Sequence, residues 1–168
     1  MSYQTNIKKQ GLSAIFDIKG NISAVSQRLS HLGLPMPTVA NTASARDGQH
    51  LCWIGEEHWI LLAPADQEEQ LLDSLAPNDP AHDCRIVHVS DFYSLFTIIG
   101  KQADDIMAIA SPLDTRPTKF ADNAATYTEF FGIRGLVVRR SDGYIIAIER
   151  SYTDMITEYF DKVSTGKR

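Results

Sequence analysis

Surplus positive charge is absent from this sequence, and so are long apolar runs. Its 168 residues include 16 lysines and arginines against 21 acidic residues, which gives a net charge of −5. Proteins that bind nucleic acid or anionic membranes use excess Lys and Arg to displace counterions, so the composition argues against both kinds of partner. No apolar run reaches the roughly 18 residues of a membrane span. The first residues, MSYQTNIKKQ, lack the apolar centre of a signal peptide.

Cysteine is also scarce, since Cys52 and Cys84 are the only two. A small secreted scaffold relies on more disulfides than two thiols can form, so we expect a cytoplasmic protein with both thiols reduced and buried. The pairs His50-x-Cys52 and His82-Asp83-Cys84, with His88 nearby, each place two ligand types on one face of a strand. Structural zinc needs four ligands at recognisable spacings, and the sequence has no CxxC or HxxxH pattern. We therefore predict no metal site.

The motifs of common catalytic sites are missing as well. There is no G-x-S-x-G elbow, and the ten glycines are scattered, without a phosphate-binding G-x-G-x-x-G or Walker loop. Ser90-Asp91 lies between two predicted strands, where serine typically caps or turns the backbone. Asp104-Asp105 falls on the polar side of a predicted helix and is expected to be solvated. Cys52 lies in an apolar strand, where burial keeps a thiol unreactive, and we predict no catalytic residue in this chain.

The residues that are abundant predict a folded α+β protein. Hydrophobic residues make up 43% and charged residues 22%, values typical of a globular domain. Four helices are predicted from apolar residues spaced by three and four, three of them with a capping residue or capping box at the start. The predicted starts and stripes are Asn21, with Ile22, Val25, Leu29 and Leu32; Asp66, boxed by Glu69, with Leu71, Leu72 and Leu75; Lys101 to about Ala110; and Ser151, with Tyr152, Met155, Ile156, Tyr159, Phe160 and Val163.

The predicted elements recur in the same order in two halves of the chain. A shift of 80 aligns residues 15–20 with 95–100, and a shift of 85 aligns the hairpin strands at 51–53 and 59–62 with those at 136–138 and 144–147. Each half reads strand, helix, proline loop, hairpin, helix, with chance agreement among common apolar residues as the alternative. We predict one internally duplicated domain over 1–168, with halves at about 12–90 and 91–164, a polar arm at 1–11 and a tail at 165–168.

Two loops at equivalent places in the halves contain the candidate ligand contacts. One holds Asn41-Thr42, and the other holds Asp114-Thr115-Arg116-Pro117. An Asp–Arg pair beside a proline either braces its own loop or binds a ligand, and both interpretations stay open. Trp59 is predicted to pack inward, whereas Trp53 belongs to the core or to an interface. The candidates for cofactor binding are Asn41, Thr42, Asp114 and Arg116, and the candidates for a partner interface are Trp53, Trp59 and Arg116.

A series of short motifs runs through the chain in a fixed order. They are Leu34-Pro35 through Asn41-Thr42, Leu51 to Leu62, Val87 to Asp91, Gly100 to Asp114, and Glu149 to Tyr152. In this order they resemble the gamma subunit family of heterotetrameric sarcosine oxidase, and the similarity covers about residues 12–163. That family is related in fold to the tetrahydrofolate-binding domain of the glycine-cleavage aminomethyltransferase, the T-protein. The resemblance therefore implies a duplicated folate-binding-domain-like fold.

The resemblance also implies a role and a set of partners. Such a chain is expected to be a non-catalytic subunit, with a structural or assembly role, that packs against the alpha subunit alongside the beta and delta subunits. The complex oxidatively demethylates sarcosine to glycine, with tetrahydrofolate as the one-carbon acceptor. FAD, FMN, NAD, zinc and tetrahydrofolate are expected in the other subunits, and no cofactor is expected on this one.

One stretch departs from the T-protein pattern. The T-protein has paired acids after a double glycine, and the matching residues here are Phe131 to Val138, with Arg134 and Gly135 at the acid positions. The T-protein's glutamate motif that holds the pterin has no counterpart. Without a carboxylate, no group at this point can take or stabilise a proton. An alternative function is a free-standing folate or one-carbon binding module built on the Asn41 and Asp114 loops.

Overall fold

The computed structural model describes residues 3–79 and 83–165, and they form an α+β fold with two antiparallel sheets. The chain divides into two compact units, one of Leu12–Ser90 and one of Asp91 onward together with the residues before Leu12. In chain order the elements are β1 (Asn6–Lys9), β2 (Ser13–Gly20), α1 (Ile22–Leu29), β3 (Thr42–Arg46), β4 (Gln49–Gly55), β5 (His58–Pro64), α2 (Glu68–Leu75), β6 (Cys84–His88), β7 (Tyr93–Ile99), α3 (Ala103–Ala110), β8 (Ala125–Phe130), β9 (Ile133–Arg140), β10 (Gly143–Glu149) and α4 (Thr153–Thr165). Among these described residues, no helix is long and apolar enough to cross a membrane.

The Leu12–Ser90 unit is a five-stranded sheet with two helices on one face. Its strand order is β3-β4-β5-β2-β6, and every neighbouring pair is antiparallel. Alternation along each strand sends every second side chain to the helix-covered face, although β5 is apolar and buried over its whole run from Trp59 to Ala63. The core on that face includes Phe16, Ile18, Leu51, Trp59 and Leu61 from the sheet, Val25 and Leu29 from α1, and Leu71 and Leu75 from α2.

The second unit is also a five-stranded sheet with two helices on one face, but its edge strand β1 comes from a different part of the chain order than β6 does. Its strand order is β1-β7-β10-β9-β8, again antiparallel throughout. The predicted polar arm thus contains a strand, because Asn6 to Lys9 pair with Ile99 to Phe96. The helix-covered core includes Phe96, Ile98, Phe130, Val137, Tyr144 and Ile146 from the sheet, Ile106 and Met107 from α3, and Ile156 and Phe160 from α4.

The strand orders confirm the duplication that the sequence shifts predict. The series β3-β4-β5-β2 in one sheet corresponds to β8-β9-β10-β7 in the other. The fifth place is filled by β6 in the first sheet and by β1 in the second. Each of these strands directly precedes the first long strand of a repeat along the chain. The repeat is therefore regular in its first four strands, and its fifth strand comes from outside the aligned segment.

The structure confirms the predicted start of α1 and moves the starts of the other three helices by about two residues. Asn21 caps α1 as expected, because its Oδ1 accepts the Ala24 N–H at 2.9 Å. The capping box at Asp66 is wrong: a single 3₁₀ turn over Ala65–Gln67 precedes α2, which begins at Glu68 without a side-chain cap. A similar turn delays α4 from Ser151 to Thr153, and α3 begins at Ala103. The local patterns located each helix to within about two residues, which is the usual uncertainty of helix ends.

Candidate functional site

Arg134 and Gly135, the residues that the sequence resemblance sets against the paired acids of the T-protein, lie next to each other on β9 and point to opposite faces of its sheet. Arg134 is exposed, and its guanidinium carbon lies 4.4 Å from the centre of the Tyr127 ring on the neighbouring strand β8. Gly135 alternates to the helix-covered face, beside Phe130 and Ile148. The position that faces outward therefore holds a cation, and the one that faces inward holds no side chain.

Gly135 occupies a place that leaves no room for a side chain. A Cβ there would lie 2.9 Å from the carbonyl oxygen of Ala147, from Cγ2 of Ile148 and from Cδ2 of Phe130. Ordinary van der Waals contact needs about 3.5–4.0 Å. An acid at this position would also enter an apolar core, where an unpaired carboxylate is costly. The local packing thus favours glycine here and disfavours a buried aspartate.

The Asn41-Thr42 pair forms the turn that enters β3. Asn41 has a positive φ of 59°, a conformation that asparagine tolerates better than most residues, and its N–H donates to the Trp53 carbonyl at 3.0 Å. The Thr42 hydroxyl donates to the Val39 carbonyl at 2.6 Å. These contacts give both residues a structural role in the turn, and whether either also binds a cofactor stays a prediction.

Asp114 and Arg116 bind each other within one loop. The Arg116 side chain donates to both carboxylate oxygens of Asp114, at 2.9 Å from Nε to Oδ1 and 2.5 Å from Nη2 to Oδ2, and its backbone N–H donates to Oδ1 at 3.1 Å. Hydrogen bonds from Arg116 lower the pKa of Asp114 to about 2. This geometry fits the loop-brace interpretation, and the predicted ligand or interface role of Arg116 stays a prediction.

The two tryptophans face each other across β4 and β5. They are register partners, and their rings stack with centres 6.0 Å apart and planes 17° apart. Trp59 packs inward, as predicted, and is only 1% exposed. Its indole therefore offers no surface to a partner. Trp53 is partly exposed, and its Nε1 donates to the Gly55 carbonyl at 2.8 Å. Of the two indoles, only Trp53 presents area that a partner could contact.

The cysteines lie in the interior, as the sequence indicates. Both are free and buried, and burial raises the pKa of the Cys52 thiol to about 12. Burial likewise raises the pKa of Cys84. Within residues 3–79 and 83–165, no group of three His, Cys, Asp or Glu side chains is arranged to hold a metal ion. The His82 member of the predicted ligand pairs lies outside the described residues.

A cluster that sequence reasoning missed joins α2 to the end of β6. His88 Nε2 lies 2.7 Å from Glu68 Oε1 and also 2.7 Å from Ser90 Oγ, and Ser90 Oγ accepts the Ile15 N–H at 2.9 Å. Hydrogen bonds from Ser90 and then from His88 lower the pKa of Glu68. A Ser-His-acid triad uses the two different ring nitrogens of histidine. Here both contacts converge on one nitrogen, so the cluster lacks the relay geometry of a nucleophilic site.

Asp104 is exposed, as the sequence predicts, and it also joins a hydrogen-bond network around Tyr144. Asp104 accepts a hydrogen bond from the buried Tyr144 hydroxyl and forms an ion pair with Arg139 at 3.4 Å. Arg139 donates to the Tyr144 hydroxyl at 2.7 Å and to the Thr115 carbonyl at 2.6 Å. Burial, followed by the bond to Asp104, raises the pKa of Tyr144. The network ties β9, β10, α3 and the proline loop together, which indicates a structural role.

The two antiparallel sheets with their helices define the class of protein as one with an aminomethyltransferase-like α+β fold. Within that class, the chain belongs to the sarcosine oxidase gamma subunit family, whose sequence profile matches residues 19–166. No relative is found among curated protein sequences.

Solved structures support the same fold. One chain of the heterotetrameric sarcosine oxidase from Corynebacterium sp. U-96 matches with a TM-score of 0.81 and 15% identity, over 96% of this chain and 84% of that one. The glycine cleavage system aminomethyltransferase T from Bartonella henselae matches with a TM-score of 0.72 and 15% identity, over 95% of this chain. The match covers 46% of the aminomethyltransferase, so this chain spans about half of its length.

Proposed function

We propose that this chain is a non-catalytic gamma subunit of a heterotetrameric sarcosine oxidase-type complex, in which it supports assembly. The proposal depends on the two neighbouring β9 residues that the sequence resemblance sets against the T-protein acids, neither of which has a carboxylate. Arg134 supplies a cation there, and Gly135 has no space for a side chain. Membership of the sarcosine oxidase gamma subunit family supports the assignment to such a complex. The absence of a carboxylate at Arg134 and Gly135 supports a role other than one-carbon transfer for this chain.

The proposal extends to the rest of the complex. The complex oxidises the N-methyl group of sarcosine with oxygen as the electron acceptor, forms glycine and hydrogen peroxide, and passes the one-carbon unit to tetrahydrofolate. FAD, FMN, NAD, zinc and tetrahydrofolate are held by the other subunits. This chain packs on the alpha subunit, next to beta and delta, without binding a cofactor of its own. A heterotetrameric sarcosine oxidase among the structural matches supports this assignment.

Affinity purification from the native host tests the partnership. With a tag on this chain, we expect to recover a flavoprotein that absorbs visible light and the other subunits in equal amounts. A second arm co-expresses the alpha, beta and delta subunits with and without this chain, and it measures assembly by gel filtration and sarcosine-dependent oxygen uptake. Omission of the chain should lower the yield of assembled complex. Recovery of no flavoprotein with the tagged chain would contradict the proposal.

Titration of the isolated chain with a reduced folate separates this proposal from the alternative of a folate-binding module. A non-catalytic subunit that leaves folate to its partners should show no binding by calorimetry. A Kd tighter than about 100 μM, near −5.5 kcal/mol, would favour the binding module instead. Variants Asn41→Ala and Asp114→Ala would then show whether the candidate loops hold the ligand.

A further inference from the structure

An aromatic and cationic surface lies at one end of the sheet that contains β8 and β9. We name it the Tyr127 patch and define it as Phe92, Tyr93, Tyr127 and Arg134. The Tyr93 and Tyr127 hydroxyls are hydrogen-bonded at 3.0 Å, and Phe92 packs edge-on against Tyr93 with ring centres 4.9 Å apart. Arg134 lies over the Tyr127 ring. The four side chains therefore form one continuous chain of contacts.

The Arg134 guanidinium is positioned by its contact with the Tyr127 ring, and its N–H donors form no hydrogen bond within the described residues. Within the described part of the chain, Arg134 stacks on the Tyr127 ring, and no hydrogen bond or ion pair engages its guanidinium. Glu129 is its direct register partner on β8, yet no ion pair joins the two side chains. Arg150 differs, since it donates to the Tyr93 carbonyl at 3.3 Å and lies 3.8 Å from Asp91. Arg134 is thus a positioned cation with free N–H groups.

The chemistry of the patch indicates the group that it recognises. Guanidinium presents N–H donors in a planar fork that matches a carboxylate, and stacking on an aromatic ring fixes the plane of that fork before binding. Phe92 is 51% exposed and offers apolar area beside it. Tyrosine and arginine are the residue types that dominate binding energy at protein interfaces. Such a combination fits an acidic side chain flanked by an apolar one.

We infer that the Tyr127 patch is a docking point at which Arg134 receives a carboxylate side chain of a partner subunit in the oxidase complex. This inference rests on the proposed function, because it needs that partner. It assigns to Arg134, at the place of a T-protein acid, the task of binding an acid on another chain. Glu129, the register partner of Arg134, would repel an incoming carboxylate, so its removal should strengthen the contact.

Binding of the full-length chain to the assembled alpha, beta and delta subunits tests the inference, measured by biolayer interferometry at low and at moderate salt. We expect Arg134→Ala and Arg134→Gln to weaken binding at least tenfold, chiefly through faster dissociation. Arg134→Lys should recover part of the affinity, because it keeps the charge but loses the planar fork. Glu129→Gln should bind more tightly than the wild-type chain. Arg85→Ala is the matched control, since Arg85 is an exposed strand arginine in the other unit and should bind as the wild type does.

The outcomes separate this inference from the function on which it rests. If the wild-type chain binds and the Arg134 variants bind equally well, the inference is overturned while the proposed function stands. If the wild-type chain binds none of the subunits, both fall. Far-UV circular dichroism and thermal melting of each variant check that it is folded. The Gln and Lys variants retain a long polar side chain at this exposed site in case the Ala variant does not fold.

Discussion

The tight fit around Gly135 leads to a quantitative prediction about stability. Replacement by alanine would place a Cβ 2.9 Å from three atoms, one of which is the Ala147 backbone oxygen that cannot rotate away. Overpacking of this kind costs about 1–3 kcal/mol, and three simultaneous close contacts place Gly135→Ala at about 2–3 kcal/mol within that range. For a chain of this size, each kcal/mol lowers Tm by roughly 2–4 °C, which corresponds to a loss of about 4–12 °C. Gly135→Asp should cost more, because its carboxylate would enter the apolar core.

Urea and thermal unfolding followed by far-UV circular dichroism measure this cost. Tryptophan fluorescence is less suitable, because both indoles lie in the Leu12–Ser90 unit and Gly135 lies in the other. Gly11→Ala is the matched control, since a Cβ at Gly11 meets nothing within 4 Å and its φ is not in the left-handed region. Equal stability of the Gly135 and Gly11 variants would refute the argument that packing excludes a side chain at Gly135.

Three other predictions follow from the described contacts. Tyr144→Phe removes the hydroxyl that links Asp104 and Arg139, and we expect a loss of about 1–2 kcal/mol in the free energy of unfolding by urea titration. Pairing with Arg116 lowers the pKa of Asp114 to about 2 in the folded chain, against about 3.9 in the unfolded chain. The pair therefore stabilises the fold at pH values above about 3.9, and this stability is lost as the pH falls towards 2. NMR titration of Asp114 should show a midpoint near pH 2, and Arg116→Ala should raise that midpoint. Cys52 should resist a thiol-specific disulfide reagent at about pH 8 in the folded chain. After unfolding in urea, peptide mass spectrometry should find the same thiol fully modified. Rapid labelling of Cys52 in the folded protein would contradict this prediction, because it would show that the thiol is accessible.

Local sequence patterns determined the helices, the two hairpins and the duplication. The spacing of apolar residues and the Asn21 cap located α1, and the stripe from Met155 to Val163 located α4, because a helix buries one face at a period that neighbouring residues set. The order of the short motifs, read along the chain, was enough to indicate the family that the sequence profile confirms. These features depend on residues that are close together in the chain.

Contacts between distant residues were decided only by the tertiary structure. Strand β1 is polar and pairs with β7 some ninety positions later, so no local alternation marks it. His88 meets Glu68, and Tyr144 meets Asp104, across 20 and 40 positions. The sequence resemblance predicts that Arg134 and Gly135 stand where the T-protein has its paired acids. The sheet then decided that one side chain stacks outward on Tyr127 and that the other position has no room for a Cβ, because pleating and cross-strand packing depend on neighbours from other strands.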